Sequence, residues 1–377
     1  MNFLIVMDSF KGCLGSMDAG HAVANGIQRA FADAEVVVSP IADGGEGTIE
    51  ALEHAENARE IYCHVEGPYR DTVRAKYLTF PGQLAVIEMA QAAGLCLSPL
   101  REPLYASTYG VGMMIRHAIE NGCRQLMIGI GGSATNDGGA GMLQALGFRL
   151  LDNHGNEIER GAIGLKSIAS IDASNIIPEL ADCRFHVACD VTAPLLGTDG
   201  CSFVFGPQKG ATTQTACDMD QWLSHYAAIA KISHPEADPY APGAGAAGGL
   251  GFALNVFCHA ELKRGLPLIA NIMQLEEKIH AADYIITGEG RIDAQTMMGK
   301  VPVGIAAIAK KYNKPVIALT GSLNVELNHL YSNGIDAVFA IQKGPCSLEE
   351  SMQPEIAGKN LSDTAEQIAR LIRSFFC

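Results

Sequence analysis

The chain has 377 residues, of which 48% are hydrophobic and 18% are charged, and its formal net charge is −14. This length exceeds one ordinary domain, and the composition supports a large core and excludes wholesale disorder. The acidic balance argues against nonspecific nucleic-acid binding, because no general positive field replaces phosphate counterions. An anionic substrate would therefore need a local basic pocket or a metal ion.

The first sixty residues alternate between short apolar runs and helical periodicity. Residues 3–7 predict a buried strand, residues 17–31 a helix, residues 36–42 a second buried strand and residues 49–55 a helix. This alternation is typical of a parallel sheet covered on both faces. The next segments, 59–67, 72–80 and 83–90, mix β-branched, aromatic and charged residues, and we expect antiparallel hairpins there.

From residue 107 the alternation returns with a helix, a strand at 125–130, a Gly-rich loop and a helix at 141–147. Residues 148–158 resemble a hairpin, and residues 184–192 predict a buried strand. Near the end, strands at 284–288, 315–321 and 336–341 accompany a helix at 301–313. In the last helix Ile368, Leu371, Ile372 and Phe375 share one face, and we expect Asp363 and Glu366 to form its capping box.

These elements predict an α/β fold, in which a Rossmann-like parallel-sheet domain is formed from both chain ends and carries an inserted mixed α/β domain. We expect residues 1–64, 107–146 and 270–377 in the first domain, and residues 65–106 and 147–269 in the second. The active-site cleft is expected between them. In such sheets ligands bind at the carboxyl ends of the strands, so the residues after each apolar run are the candidates for chemistry.

Acidic residues, glycines or both follow six of the predicted strands. The segments are Asp8–Gly12, Asp43–Thr48, Gly131–Gly139, Asp190–Thr192, Gly288–Asp293 and Thr320–Ser322. Turn composition alone explains one such loop better than it explains all six. Glycines let backbone N–H groups approach phosphate oxygens, whereas carboxylates repel phosphate unless a hard cation lies between them. The loops therefore suggest an Mg²⁺–nucleotide complex, with Lys11, Arg291 and Lys300 as candidates for neutralising negative charge.

Two dinucleotide-binding patterns compete with this interpretation. Residues 129–134 fit GxGxxA after a strand, but Gly138 and Gly139 in the first helical turn would cost ~2 kcal/mol of helix propensity. Residues 243–248 fit GxGxxG, but prolines precede them, which favours a flexible or close-packed turn over a phosphate cradle. An NAD-dependent oxidoreductase of hydroxy acids stays an alternative, as does a non-catalytic sensor of sugar acids. The sequence contains no Walker A, protein-kinase, HExxH or GxSxG motif.

The segments DSFKG, PIADGGEGT, GIGGSATNDGGAGMLQALG, CDVTAPLLG, GAGAAGGLGFAL and TGEGRIDAQTMMGKVP occur in this order. Together they closely resemble the type 1 glycerate kinase family over essentially the whole chain. The resemblance implies ATP- and Mg²⁺-dependent phosphorylation of D-glycerate to 2-phosphoglycerate, in glyoxylate, glucarate or galactarate breakdown. A 3-phosphoglycerate product stays open.

The cellular setting and the partners follow from the same considerations. Eleven scattered cysteines without a CxxC pair, and an N-terminus without a basic region, favour a cytoplasmic protein without a signal peptide. The partners expected are the nucleotide and D-glycerate, with no nucleic acid and no membrane. A homodimer is an assembly to test.

Individual roles can be assigned on the resemblance and on the residue types. Asp190 is the predicted catalytic base, because it ends a buried strand without the glycines that mark phosphate contact, and Asp8 is the second candidate. Lys11 and Arg291 are assigned to the substrate carboxylate or the γ-phosphate. The other candidates are Ser9, Arg70, Gly131, Gly132, Ser133, Asn136 and Asp137 for substrate or phosphate, and Asp43, Glu289 and Asp293 for Mg²⁺.

Overall fold

The structure is a computed structural model that describes residues 1–45, 47–294 and 296–375. The strands are β1 (Asn2–Met7), β2 (Glu35–Val38), β3 (Arg59–Glu66), β4 (Thr72–Phe80), β5 (Leu84–Glu88), β6 (Gln125–Gly129), β7 (Arg149–Leu151), β8 (Ser170–Asp172), β9 (Arg184–Ala188), β10 (Glu261–Lys263), β11 (Tyr284–Ile292), β12 (Val316–Leu323) and β13 (Ala337–Ala340). The helices are α1 (Ser16–Ala30), α2 (Thr48–Leu52), α3 (Ala90–Ala93), α4 (Tyr109–Glu120), α5 (Ala140–Ala145), α6 (Cys201–Val204), α7 (Thr213–Ser233), α8 (Ala246–Cys258), α9 (Gly265–Ile272), α10 (Leu275–Ala281), α11 (Val301–Lys310), α12 (Leu327–Ser332), α13 (Leu348–Ser351) and α14 (Pro354–Arg373).

The chain divides into two compact units. The first, called here the terminal unit, comprises Met1–Asp43, Glu50–Glu56 and Leu266–Cys377. The second, called the inserted unit, comprises Gly44–Ile49 and Asn57–Gly265. The predicted fold class is confirmed: a parallel-sheet unit is assembled from both chain ends and carries a mixed α/β insertion.

The terminal unit contains a five-stranded sheet in the order β13-β12-β11-β1-β2. Every neighbouring pair is parallel. The direction of strand succession reverses between β1 and β11, and such a switch point is where open α/β sheets bind ligands. Met7 pairs with Gly288, and the Asp8 N–H donates to the Gly288 carbonyl at 2.9 Å. The topology therefore directs attention to Asp8 and Glu289.

The apolar residues of β1 explain why the sheet is covered. Phe3, Ile5 and Met7 form one buried face and share a core cluster with Val23 and Ile27 of α1. Buried residues of α14 complete this cluster, because α14 packs along α1. Strand β2 differs from its prediction as a buried strand: it is an edge strand whose residues alternate between exposed and half-buried positions.

The start of the last helix also differs from the prediction. α14 begins at Pro354, with Gln353 as its N-cap, so Asp363 and Glu366 lie inside the helix and do not form a capping box. Both carboxylates instead contact Arg29 of α1, at 3.0 and 2.6 Å. The two acids that resemble a capping box in the sequence therefore form ion pairs with another helix. Of the four predicted core residues, Ile368 and Ile372 are buried, whereas Leu371 and Phe375 are exposed.

Asp363 is a stabilising carboxylate of the terminal unit, and Asp363→Asn should show this. Hydrogen bonds from Lys343 and Lys359, with their charges, hold the pKa of Asp363 at about 2. The stabilisation is therefore fully present above pH ~3.8 and is lost as the pH falls through about 2. Solvent screening limits the loss in Asp363→Asn to about 1 kcal/mol at neutral pH.

Urea unfolding at pH 7 in low salt measures the effect of Asp363→Asn. The difference from wild type should shrink in 1 M NaCl and at pH 3. Glu349→Gln on α13 is the matched control, because this exposed acid has no ion pair within the described residues. An unchanged unfolding midpoint for Asp363→Asn in low salt would contradict the expectation.

The inserted unit contains a six-stranded sheet in the order β10-β9-β6-β5-β4-β3. Strands β5, β6, β9 and β10 are parallel, whereas β3, β4 and β5 are antiparallel, which confirms the predicted hairpin of β3 and β4. Residues 107–146 lie in this unit, although the sequence places them with the chain ends. Strand β6 pairs with β5 and β9, and this pairing places the segment in the inserted unit. The alternation of strands and helices in the sequence does not reveal which sheet a strand joins.

Residues 241–260 contain a turn and all of α8, as the sequence predicts for a buried Gly-rich segment. Across the described part of the chain, no helix has the combined length and apolarity that crossing a membrane requires.

Candidate functional site

Three buried carboxylates mark the switch point of the terminal unit. Asp8 follows β1, Asp43 follows β2 and Glu289 lies in β11, and their exposed fractions are 4%, 8% and 7%. Burial and the negative charge of Asp43 raise the pKa of Asp8 to about 7. Burial also raises the pKa of Glu289, and the charges of Asp293 and Asp43 add to this effect. We call Asp8, Asp43 and Glu289 the acidic cluster.

The acidic cluster is oriented by hydrogen bonds from its own unit. The Ser9 N–H donates to Asp8 Oδ1 at 2.7 Å, and the Thr296 hydroxyl donates to Glu289 Oε1 at 2.5 Å. Lys11 is exposed and lies near enough to lower the pKa of Asp8, though less than burial raises it. Lys300 acts in the same way on Glu289. The net result is a concentration of negative charge that a cation would stabilise.

The cluster fits Mg²⁺ in its donor chemistry. No group of three His, Cys, Asp or Glu side chains in the described ranges is arranged to hold a metal by itself. Mg²⁺ prefers oxygen ligands and is held by one or two carboxylates, with water and substrate phosphates completing its shell. Two members of the acidic cluster therefore suffice.

Arg291 and Asp293 lie at the end of β11, beside the acidic cluster. Arg291 Nε lies 3.4 Å from Asp293 Oδ2, and the Arg291 side chain is 62% exposed. The positive charge of Arg291 thus balances part of the negative charge of Asp293. The acidic cluster is therefore a better candidate for binding a metal than Asp293. The exposed Arg291 guanidinium is accessible to an anion.

The Gly-rich loop of residues 129–139 belongs to the inserted unit. Gly131 and Gly132 are the accessible residues of its central part, Ser133 is 7% exposed, and Asn136 and Asp137 are completely buried. We call residues 129–139 the glycine loop. Its accessible surface is therefore backbone of the Gly131–Ser133 stretch, which suits close approach of an anion.

The Asp137 carboxylate has a structural role that the sequence does not predict. Its Oδ2 accepts hydrogen bonds from the Thr108 N–H at 2.8 Å, the Thr108 hydroxyl at 2.9 Å and the Gly141 N–H at 3.3 Å. Its Oδ1 accepts from the Gly139 N–H at 3.1 Å. This carboxylate orients the start of α5 and is completely buried.

Asn136 is likewise held inside the inserted unit. Its Nδ2 donates to the Ser202 hydroxyl at 2.9 Å, and both side chains are completely buried. Helix α5 starts only at Ala140, after Gly138 and Gly139 with φ of +63° and +76°. The helix that a dinucleotide fingerprint at 129–134 requires therefore does not follow it directly, and this argues against an NAD site.

The second glycine pattern, residues 243–248, is a close-packed turn, one of the roles that the sequence favours. Ala247, Gly248 and Gly249 have left-handed φ angles of +52°, +67° and +93°. The Gly138 N–H donates to the Gly248 carbonyl at 2.9 Å. A Cβ on Gly248 would lie 2.1 Å from the Thr135 carbonyl oxygen, so only glycine fits against the glycine loop.

The other predicted residues of the inserted unit are exposed. Asp190 follows β9 and is accessible to solvent. Arg70 is exposed in the turn between β3 and β4, with a φ of +68° that is unusual for a residue other than glycine. The predicted site residues thus form two sets. Asp8, Ser9, Lys11, Asp43, Glu289, Arg291 and Asp293 belong to the terminal unit, and Arg70, Gly131, Gly132, Ser133, Asn136, Asp137 and Asp190 belong to the inserted unit.

Glu88 is a buried acid that the sequence interpretation misses. It ends β5, is 4% exposed, and accepts hydrogen bonds from the Thr48 N–H at 2.5 Å and the Ile49 N–H at 3.2 Å. These two N–H groups at the start of α2 are therefore occupied by a carboxylate and are not available to a phosphate. The signal was present, because Glu88 directly follows an apolar run, but the run was assigned to a hairpin.

Comparison with known proteins gives a consistent result over the full chain. Residues 3–373 match the glycerate kinase family. The chain is 46% identical over 356 residues to the glycerate 2-kinase of Escherichia coli K12, which covers 94% of this chain and 93% of that protein. It is 46% identical over 376 residues to the glycerate kinase of Bacillus subtilis 168, and the match covers 99% of this chain and 98% of that protein. A crystal structure of a proposed glycerate kinase 2 from Salmonella typhimurium LT2 matches with a TM-score of 0.87 at 44% identity, covering 99% and 98%.

Proposed function

The chain belongs to the glycerate kinase family, and from this premise we propose that it transfers the γ-phosphoryl group of ATP to D-glycerate. The products would be 2-phosphoglycerate and ADP. The observation that carries the proposal is the acidic cluster at the switch point of the terminal unit, whose buried carboxylates suit an Mg²⁺–nucleotide complex. The 2-position is proposed because a relative with 46% identity is named a glycerate 2-kinase.

The reaction needs a proton acceptor for the substrate. We assign this role to Asp190, whose exposed carboxylate would take the proton of the 2-hydroxyl group. The hydroxyl oxygen then bonds to the γ-phosphorus, while the bond from this phosphorus to the bridging oxygen breaks and ADP leaves. Mg²⁺, held by carboxylates of the acidic cluster, would neutralise negative charge on the phosphates.

The remaining residues bind and orient the reactants. We propose that two of the three carboxylates of the acidic cluster, Asp8, Asp43 and Glu289, would hold Mg²⁺, and that Arg291 orients Asp293 beside them. Lys11 and Arg291 would face the substrate carboxylate or the γ-phosphate, with Ser9 and Arg70 as additional contacts. The backbone of Gly131, Gly132 and Ser133 would hold an anionic group of the substrate. The proposed setting is the cytoplasm, in the breakdown of glyoxylate, glucarate or galactarate.

One experiment tests the reaction and its product together. The protein is incubated with ATP, Mg²⁺ and D-glycerate, and phosphorus NMR identifies the phosphomonoester. We expect 2-phosphoglycerate and ADP in equal amounts, and no reaction when EDTA removes the metal. A 3-phosphoglycerate product would revise the regiochemistry. Failure to consume ATP with D-glycerate would overturn the proposed function.

A further inference from the structure

Lys209 is a completely buried lysine beneath the glycine loop. It ends a short 3-10 helix, Pro207–Lys209, and is 1% exposed. Its Nζ donates to the Thr135 carbonyl at 2.6 Å. Burial lowers the pKa of Lys209 to about 8, while the nearby Cys201 and Asp137 raise it. The side chain therefore brings a positive charge to the inner side of the glycine loop at neutral pH.

A buried charge of this kind is costly and needs compensation. An ammonium group removed from water loses its hydration, and a partner of opposite charge recovers only part of that loss. Lysine is accordingly among the residues least often found completely buried. An apolar residue of similar volume would give this core equal packing without that cost. Core packing alone thus does not explain Lys209.

The segment that carries Lys209 holds the glycine loop at two consecutive residues. Lys209 binds the Thr135 carbonyl, and Ser202 in α6 accepts from Asn136 Nδ2. The segment also packs closely against Arg101, because a Cβ on Gly210 would lie 2.1 Å from the Arg101 carbonyl oxygen. Lys209 and Ser202 thus connect this close-packed region to the buried half of the glycine loop.

The charge of Lys209 also bears on Asp137. Asp137 is a completely buried acid of the glycine loop, and burial raises its pKa. Its oxygens accept four hydrogen bonds, and its interaction with Lys209 favours the charged form of the lysine. A cation beneath the loop makes its surface more favourable for an anion.

We propose that Lys209 is a positioning residue for substrate binding: its ammonium group, fixed on the Thr135 carbonyl near Asp137, holds the glycine loop in the conformation that receives D-glycerate. This inference rests on the proposed function, in which Gly131, Gly132 and Ser133 hold the substrate. Lys209 itself touches no reactant. Ser202 assists by fixing Asn136.

The test compares Lys209→Met and Ser202→Ala with wild type and with Lys231→Met, an exposed lysine of α7 that serves as the matched control. Steady-state kinetics give the KM of D-glycerate and of ATP separately. We expect Lys209→Met to raise the KM of D-glycerate ~10-fold or more, and Ser202→Ala to raise it ~3-fold. The KM of ATP should stay within twofold, which general loss of structure would not produce.

Hydrogen exchange measured by mass spectrometry tests the loop directly. Amides of residues 131–139 should exchange faster in Lys209→Met than in wild type, with the terminal unit unchanged. Should Lys209→Met fail to fold, Ser202→Ala decides, because it deletes a single hydroxyl. Unchanged glycerate KM in the folded variants, or an equal rise in both KM values, would overturn the role of Lys209. Absence of wild-type turnover would instead overturn the proposed function, and hydrogen exchange would still report on the loop.

Discussion

Asp190→Asn is expected to lower kcat by ~10²–10⁴, since an amide cannot accept the proton of the substrate hydroxyl. The change preserves the size of the side chain, and Asp190 is exposed after β9, so folding should be unaffected. The KM values of ATP and D-glycerate should change only a few-fold, because the proposed role concerns the proton in transit and not the binding of the reactants.

Initial-rate kinetics at saturating ATP and Mg²⁺ measure this effect. Asp199→Asn is the matched control, because Asp199 is another exposed acid of the inserted unit and has no proposed role. Its kcat should stay within twofold of wild type. A fall of less than tenfold for Asp190→Asn, with intact folding, would remove Asp190 as the base and leave Asp8 as the candidate.

Asp8→Asn is expected to change stability and activity in opposite directions. Asp8 is buried beside Asp43 and Glu289, and burial is the larger cause of its raised pKa, with Asp43 next. A neutral amide removes this cost but can still accept from the Ser9 N–H, so the metal-free protein should gain on the order of 2 kcal/mol at pH 8. The kcat/KM with ATP should fall by ~10² or more, because the metal loses a carboxylate.

Thermal unfolding in EDTA at pH 8 and pH 5 measures the stability change. Burial raises the pKa of Asp8 to about 7 in the folded protein. The destabilisation caused by its charge is therefore fully present above pH 7, and it declines as the pH falls toward the unfolded-state pKa of 3.8. The gain in Asp8→Asn should therefore be larger at pH 8 than at pH 5. Asp33→Asn, at an exposed acid of the terminal unit, should leave the unfolding temperature and kcat/KM near their wild-type values. A lower unfolding temperature for Asp8→Asn at pH 8 would refute the interpretation that the buried charge of Asp8 destabilises the protein.

Local periodicity was sufficient to predict the elements and the parallel sheet formed from both chain ends. It was not sufficient to assign residues 107–146, because β6 is an ordinary buried strand whose partners are chosen by tertiary pairing. The capping pattern at Asp363 and Glu366 failed for a related reason. Its two acids pair with Arg29, which is more than 330 residues away in sequence.

The strand-end rule located Asp8, Asp43 and Glu289 correctly at the edge of one sheet, since the carboxyl ends of parallel strands share an edge. It could not distinguish these three acids from Asp137, which supports a loop. Asp137 and Asp8 are both buried, yet Asp137 has four hydrogen-bond donors around it. That difference depends on Thr108, which no local pattern connects to Asp137.

The five-stranded sheet has a consequence for how the protein is made. Met7 pairs with Gly288, so β1 leaves the ribosome about 280 residues before its partner β11. At roughly 5–20 residues per second, this delay lasts about 15–60 s. Within that interval the inserted unit can complete its own core, while the apolar residues of β1 and α1 lack the strands and the helix that cover them. Newly made chains should consequently depend on chaperones at this stage, and a circular permutant that joins the termini and starts within the inserted unit should alter that dependence.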